Sequence, residues 1–102
     1  MASRLELHEE FCNILGSRNV YFNPPDNVTM KYDAIKYSLS KLDVKHANNR
    51  MYLGTNGYQV ITIERKTDSP LRETLLNHFK LITWERSYVS NNLIHNVYQI
   101  YY

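Results

Sequence analysis

Two stretches of this chain alternate in side-chain character with a period of two, a pattern that has to lie half-buried in a sheet, and two further apolar-rich runs read as strands beside them. From Ala34 to about Lys45, Ile35, Tyr37 and Leu39 share one face, and Lys36, Ser38 and Ser40 the other. Leu42 and Val44 fall on the opposite parity to Leu39, which predicts a bulge near Lys41. Tyr58 to Arg65, around Val60, Ile61, Thr62 and Ile63, reads as a second strand. Ile82, Trp84, Arg86 and Tyr88 alternate as a third, and Ser90-Asn91-Asn92 makes a turn. Leu93 to Tyr102 is the fourth, with Val97 and Tyr101 on one face and Tyr98, Ile100 and Tyr102 on the other.

Two segments follow the helical period instead. Residues 3–15 place Leu7, Phe11, Ile14 and Leu15 along one stripe, behind a Ser3/Glu6 capping box and ahead of Gly16 as the left-handed stop. Asp68-Ser69-Pro70 marks the start of a short helix over 70–79, with Leu71, Leu75, Leu76 and Phe79 apolar. Between the first helix and the first strand, Val20-Tyr21-Phe22 form a small apolar cluster. Pro24-Pro25 then breaks regular structure, so 17–33 reads as an ordered connection. The polar stretch from His46 to Gly57 joins two strands as an unusually long hairpin connection.

The order is helix, strand, long connection, strand, helix, strand, strand. It predicts one domain, residues 1–102, of the α+β class: an antiparallel, mostly four-stranded sheet with two helices packed on one face. With 102 residues, 43% hydrophobic and 22% charged, a packed but thin core is expected. Nine tyrosines stand against three phenylalanines and one tryptophan. Tyrosine carries apolar area together with a hydroxyl that needs water or a partner, which suits half-buried sheet faces and interfaces alike.

The chemistry-bearing residues are dispersed. Cys12 is the only cysteine, which rules out an internal disulfide or a cysteine-rich zinc site and fits a reducing compartment. His8, Glu9 and Cys12 have usable helical spacing for a metal but fall short of a ligand set. A nucleophilic pair of Cys12 with His46, His78 or His95 would need a third orienting group. No paired carboxylates or glycine-rich phosphate cradle stand out, so neither catalysis nor a cofactor or metal is expected. Lys31, Lys36, Lys41, Lys45 and Arg50 interleave with Tyr32, Tyr37 and Tyr52, a pattern able to track phosphates and stack bases. Against it, alternating lysine on a strand is more often a solvated edge, and a net charge of +2 is a weak footprint for a nucleic-acid binder. Charges at Arg4, Glu6, Glu9 and Glu10 interrupt the first apolar stretch, and no run is long enough to span a membrane.

Several stretches carry a likeness to a known family. They are Phe11-Cys12-Asn13-Ile14-Leu15-Gly16, Val20-Tyr21-Phe22-Asn23-Pro24-Pro25, the run Met30 to Leu39, Gly57 to Ile63 with Asp68-Ser69-Pro70, and Asn91-Asn92-Leu93-Ile94-His95. In that order, over nearly the whole chain, they resemble the tail terminator, or tail-to-head joining protein, of long-tailed bacteriophages. At Asp33-Ala34 the chain departs from the family's proline-cysteine, so no role for a cysteine there carries over. The resemblance implies a structural protein of the virion neck, assembled in the host cytoplasm. It implies a hexameric ring that caps the tail tube and joins the tail to the head connector or stopper. The partners would be copies of the chain, the tail-tube protein and the connector, with DNA passing through the ring without sequence-specific contact and no membrane involved. The long polar connection is then expected to reach a neighbouring subunit or the tube, through Lys45, His46, Asn48, Asn49, Arg50 and Tyr52. Two alternatives remain open: another minor tail or tail-completion protein, or a small nucleic-acid-binding module.

Overall fold

A computed structural model describes residues 4–25, 29–40, 57–66 and 69–102. Helix α1 (Arg4–Leu15) buries Leu7, Phe11 and Cys12. The stripe expected from sequence is thus turned toward Cys12, and Ile14 and Leu15 are only partly covered. Gly16 ends the helix at φ +80, where its N–H donates to the Cys12 carbonyl at 2.9 Å.

Val20–Phe22, expected to be irregular, is a strand, β1. It pairs in parallel with β2 (Ala34–Leu39), Val20 beside Ile35 and Phe22 beside Tyr37. Three residues are too few to display a period, so the pairing leaves no mark in the sequence pattern. Asn23, at φ 46, turns the chain out of β1 while its N–H donates to the Tyr37 carbonyl at 2.8 Å. β2 runs antiparallel to β3 (Gly57–Glu64), which is the pairing expected of these two strands. Ser3, Asp68, the proposed bulge at Lys41 and most of the long connection lie outside the described residues.

Helix α2 (Leu71–His78) has Pro70 at its N-cap and no side-chain capping bond, in place of the capping side chain expected here; Ser69 Oγ accepts from Leu71 N–H at 3.2 Å in the turn that leads into it. β4 (Ile82–Ser90) and β5 (Leu93–Tyr101) form a hairpin across Asn91 and Asn92, both with positive φ. That backbone is the one a tight two-residue turn requires and asparagine tolerates. The sheet order is β1-β2-β3-β5-β4, with β5 inserted between β3 and β4. The α+β class holds, but among the described residues the sheet is five-stranded and mixed, not mostly four-stranded and antiparallel.

One cluster unites both helices with a single sheet face: Leu7, Phe11, Leu71, Leu75 and Phe79 against Ile35, Tyr37, Tyr58, Val60, Tyr98 and Ile100. The two described helices therefore cover the same face. Tyr37 sits at its centre, its ring 5.1 Å from Phe11, 5.0 Å from Phe22 and 5.9 Å from Tyr58. Edge-on and tilted aromatic pairs of this kind each contribute about 0.5–1.5 kcal/mol beyond their buried area.

Candidate interaction surface

β4 is the exposed border of the molecule. It is nine residues long, its only described neighbour is β5, and every residue after Ile82 is exposed. Trp84 is 41% exposed, Tyr88 40% and Val89 70%, with Leu81 at 37% just before the strand. An unpaired strand edge of this length is a template for pairing with another chain, and proteins usually blunt it.

The faces of β4 are set by a bulge. Trp84 lies opposite Tyr98 and Arg86 opposite Val97, which leaves Glu85 as the extra residue. Ile82 and Trp84 therefore point toward the helices, but Arg86 and Tyr88 point away. This corrects the single-faced alternation read from the sequence. The contacts agree: Trp84 Nε1 donates to Asn96 Oδ1 at 3.1 Å, and the Arg72 guanidinium of α2 lies 5.2 Å over its ring. On the other face Tyr88 stacks on His95 at 4.7 Å and 12°, with Arg86 6.0 Å from the Tyr88 ring. Both aromatics are thus held in place before any partner arrives, which lowers the ordering cost of binding.

The residues singled out for chemistry are kept apart. His8 Nδ1 meets the Tyr37 hydroxyl at 2.8 Å, and that hydroxyl also receives Arg4 at 3.4 Å. Burial, then the charges of Arg4 and Arg18, hold the His8 imidazole below its usual pKa, favouring the neutral ring. Glu9 instead takes both Arg18 nitrogens, at 2.9 and 3.0 Å, and Arg18 holds its carboxyl low. Cys12 is buried, and burial pushes its thiol up, away from the reactive thiolate. Among the described residues no three His, Cys, Asp or Glu side chains converge as a metal site. Of the histidines considered for a pair with Cys12, His78 Nε2 meets Glu10 Oε1 at 2.6 Å, His95 is on Tyr88, and His46 lies outside the described residues.

One further cluster was not foreseen. Glu10 of α1 binds His78 of α2 with one oxygen and accepts the Tyr102 hydroxyl with the other, beside a cavity of about 300 Å³ also bordered by Lys80 and Leu81. The three side chains come from positions far apart in sequence, so no local spacing announces them. Burial, then Glu10, push the Tyr102 hydroxyl up to about 12, so it stays the donor. This carboxylate joins both helices to the end of the sheet.

Lys45, His46, Asn48, Asn49, Arg50 and Tyr52, expected at an interface, all lie outside the described residues, as do Lys41 and most of the basic segment. The signal for β4 was present in Trp84, Tyr88 and Val89, but its position at the border depends on β5 pairing with β3. Among the described residues no helix is long and apolar enough to cross a membrane. Compared with family models, curated proteins and solved structures, the chain gives no match.

Proposed function

We infer that this protein is a structural subunit that works by assembling with other protein chains, copies of itself among them, and not by catalysis. The observation that carries this reading is β4: a nine-residue border strand, exposed throughout after Ile82, bearing Trp84, Tyr88 and Val89. A free sheet edge offers backbone hydrogen bonds to a partner, and pre-held aromatics offer anchors beside them.

In its finer form the reading is a tail-terminator ring, six copies in the neck of a long-tailed phage virion, capping the tail tube and meeting the head connector or stopper. The sequence resemblance supports it, and so does a sheet with the two described helices on one face and a border strand, β4, whose only described neighbour is β5. A cyclic ring needs a heterologous contact, in which one patch of a subunit meets a different patch of the next. The segment around Lys45 to Tyr52 remains the proposed contact to tube or neighbour, and DNA would pass without sequence-specific contact.

The test is assembly. The purified protein, mixed with tail tubes built from the tube protein of the same genome, is expected to cap one tube end in electron micrographs. Native mass spectrometry of the capped material should then show a six-fold ring. A Trp84→Ala/Val89→Asp double variant is expected to keep its circular dichroism spectrum and lose capping at least about tenfold, since buried aromatic anchors dominate interface energy. Tubes left uncapped by the unaltered chain would sink the ring, and normal capping by the double variant would sink the role of β4.

A further inference from the structure

The bulge in β4 selects a partner for that strand. We propose that in the free protein two copies pair antiparallel through β4, forming a two-fold dimer with one continuous ten-stranded sheet. This goes beyond the assembly reading, since it concerns the protein before it meets any tube.

Facing groups decide the register. Across an antiparallel pair, opposed residues must lie on the same face of the sheet. In β4, Ile82, Trp84, Ser87 and Val89 lie on the helix face, opposite Ile100, Tyr98, Asn96 and Ile94 of β5. Thr83, Arg86 and Tyr88 lie on the other, opposite Gln99, Val97 and His95. A strand with strict alternation would oppose itself only in registers that set a residue against its own copy or against one an even step away. The extra residue, Glu85, changes that. One register along the whole strand now matches faces: Ile82 against the partner's Val89, Thr83 against the partner's Tyr88, and Trp84 against the partner's Ser87. A one-residue slip sets helix-side residues against outer ones. The other face-matched registers pair only part of the strand and leave Trp84, or Tyr88 and Val89, uncovered.

Charge agrees with facing. At the centre of the matched register Glu85 meets the partner's Arg86, and by the two-fold Arg86 meets the partner's Glu85. Opposite charges across a strand pair favour the pairing and like charges oppose it. The register also covers Val89, the most exposed large hydrophobic on the strand at 70%, with the partner's Ile82. An isologous contact closes on itself, so it hides both edges without building fibres.

Native mass spectrometry and sedimentation of the whole chain, without tubes, test this. The expected state at micromolar concentration is a dimer. Glu85→Arg and Arg86→Glu, each alone, should weaken the dimer at least about tenfold. Mixing the two variants should restore it as a heterodimer, because both charge pairs then reappear. A second measurement does not depend on charge: Thr83→Cys mixed with Tyr88→Cys should give a heterodisulfide under mild oxidation, and neither variant alone a homodisulfide at that position. A monomer, failed restoration with folded variants, or Thr83→Cys homodisulfides would each overturn the proposal. Tube capping is scored separately, so a monomer that still caps tubes removes the dimer and keeps the ring, and a dimer that never caps does the reverse.

Discussion

Glu64 shows how a single residue records its surroundings. It is 4% exposed, on the last position of β3, and burial first, then the charge of Asp33, raise its pKa against the pull of a hydrogen bond from Ser69. A raised carboxyl pKa means that the folded state prefers the proton. The favourable contribution is therefore present at low pH and fades as pH climbs through the raised value. Glu64→Gln keeps the shape and removes the charge, so it is expected to raise stability at neutral pH on the order of 1 kcal/mol. Urea midpoints compared at neutral and acidic pH check this, and the gain should shrink on acidification. An unchanged or lowered midpoint at neutral pH counts against a strained carboxylate. The sequence showed Glu64 only as a charge ending an apolar run, because the fold alone brings Asp33 and Ser69 beside it.

At the scale of elements, the helices and the four longer strands were legible because each is long enough to show its period and has a stop of its own. Gly16 is the clearest stop. A Cβ there would touch nothing within 4 Å, so Gly16→Ala tests backbone strain alone at φ +80. The expected cost is about 1 kcal/mol, read as a lower denaturant midpoint with an unchanged slope. No loss would mean that the chain leaves α1 by another route. β1 and the bulge were not legible, and for different reasons. β1 is too short for periodicity and exists because its neighbour offers an edge. The bulge hides because Arg86 and Tyr88 continue the parity of Trp84 in sequence, and only the pairing with β5 reveals the extra residue. The expected interface at Lys45 to Tyr52 lies outside the described residues, whereas the border strand became visible only with the sheet order.

For the whole molecule, two tyrosines tie overall stability to alkaline pH. Tyr98 in the core and Tyr102 at the Glu10 junction are both pushed up to about 12, burial being the largest cause in each. The folded chain thus keeps these protons longer than the unfolded chain does. Their contribution is intact below the ordinary tyrosine value of about 10 and is lost as pH rises through about 12. Thermal unfolding followed from neutral pH upward is expected to hold level and then fall steeply across that window. Tyr102→Phe should make the fall shallower, and an unaltered alkaline profile would mean that the hydroxyl is not held by Glu10.

The bulge also bears on how such a chain changes over generations. Trp84 is fixed by Asn96 and Arg72, and Tyr88 by His95, so each half of β4 has its own anchor. Loss of the single codon for Glu85 would leave both anchors encoded but force one half to turn its other side to the core. One in-frame deletion would therefore remove the proposed Glu85–Arg86 register without touching a hydrophobic residue, leaving the strand only registers that set a residue against its own copy or an even step away.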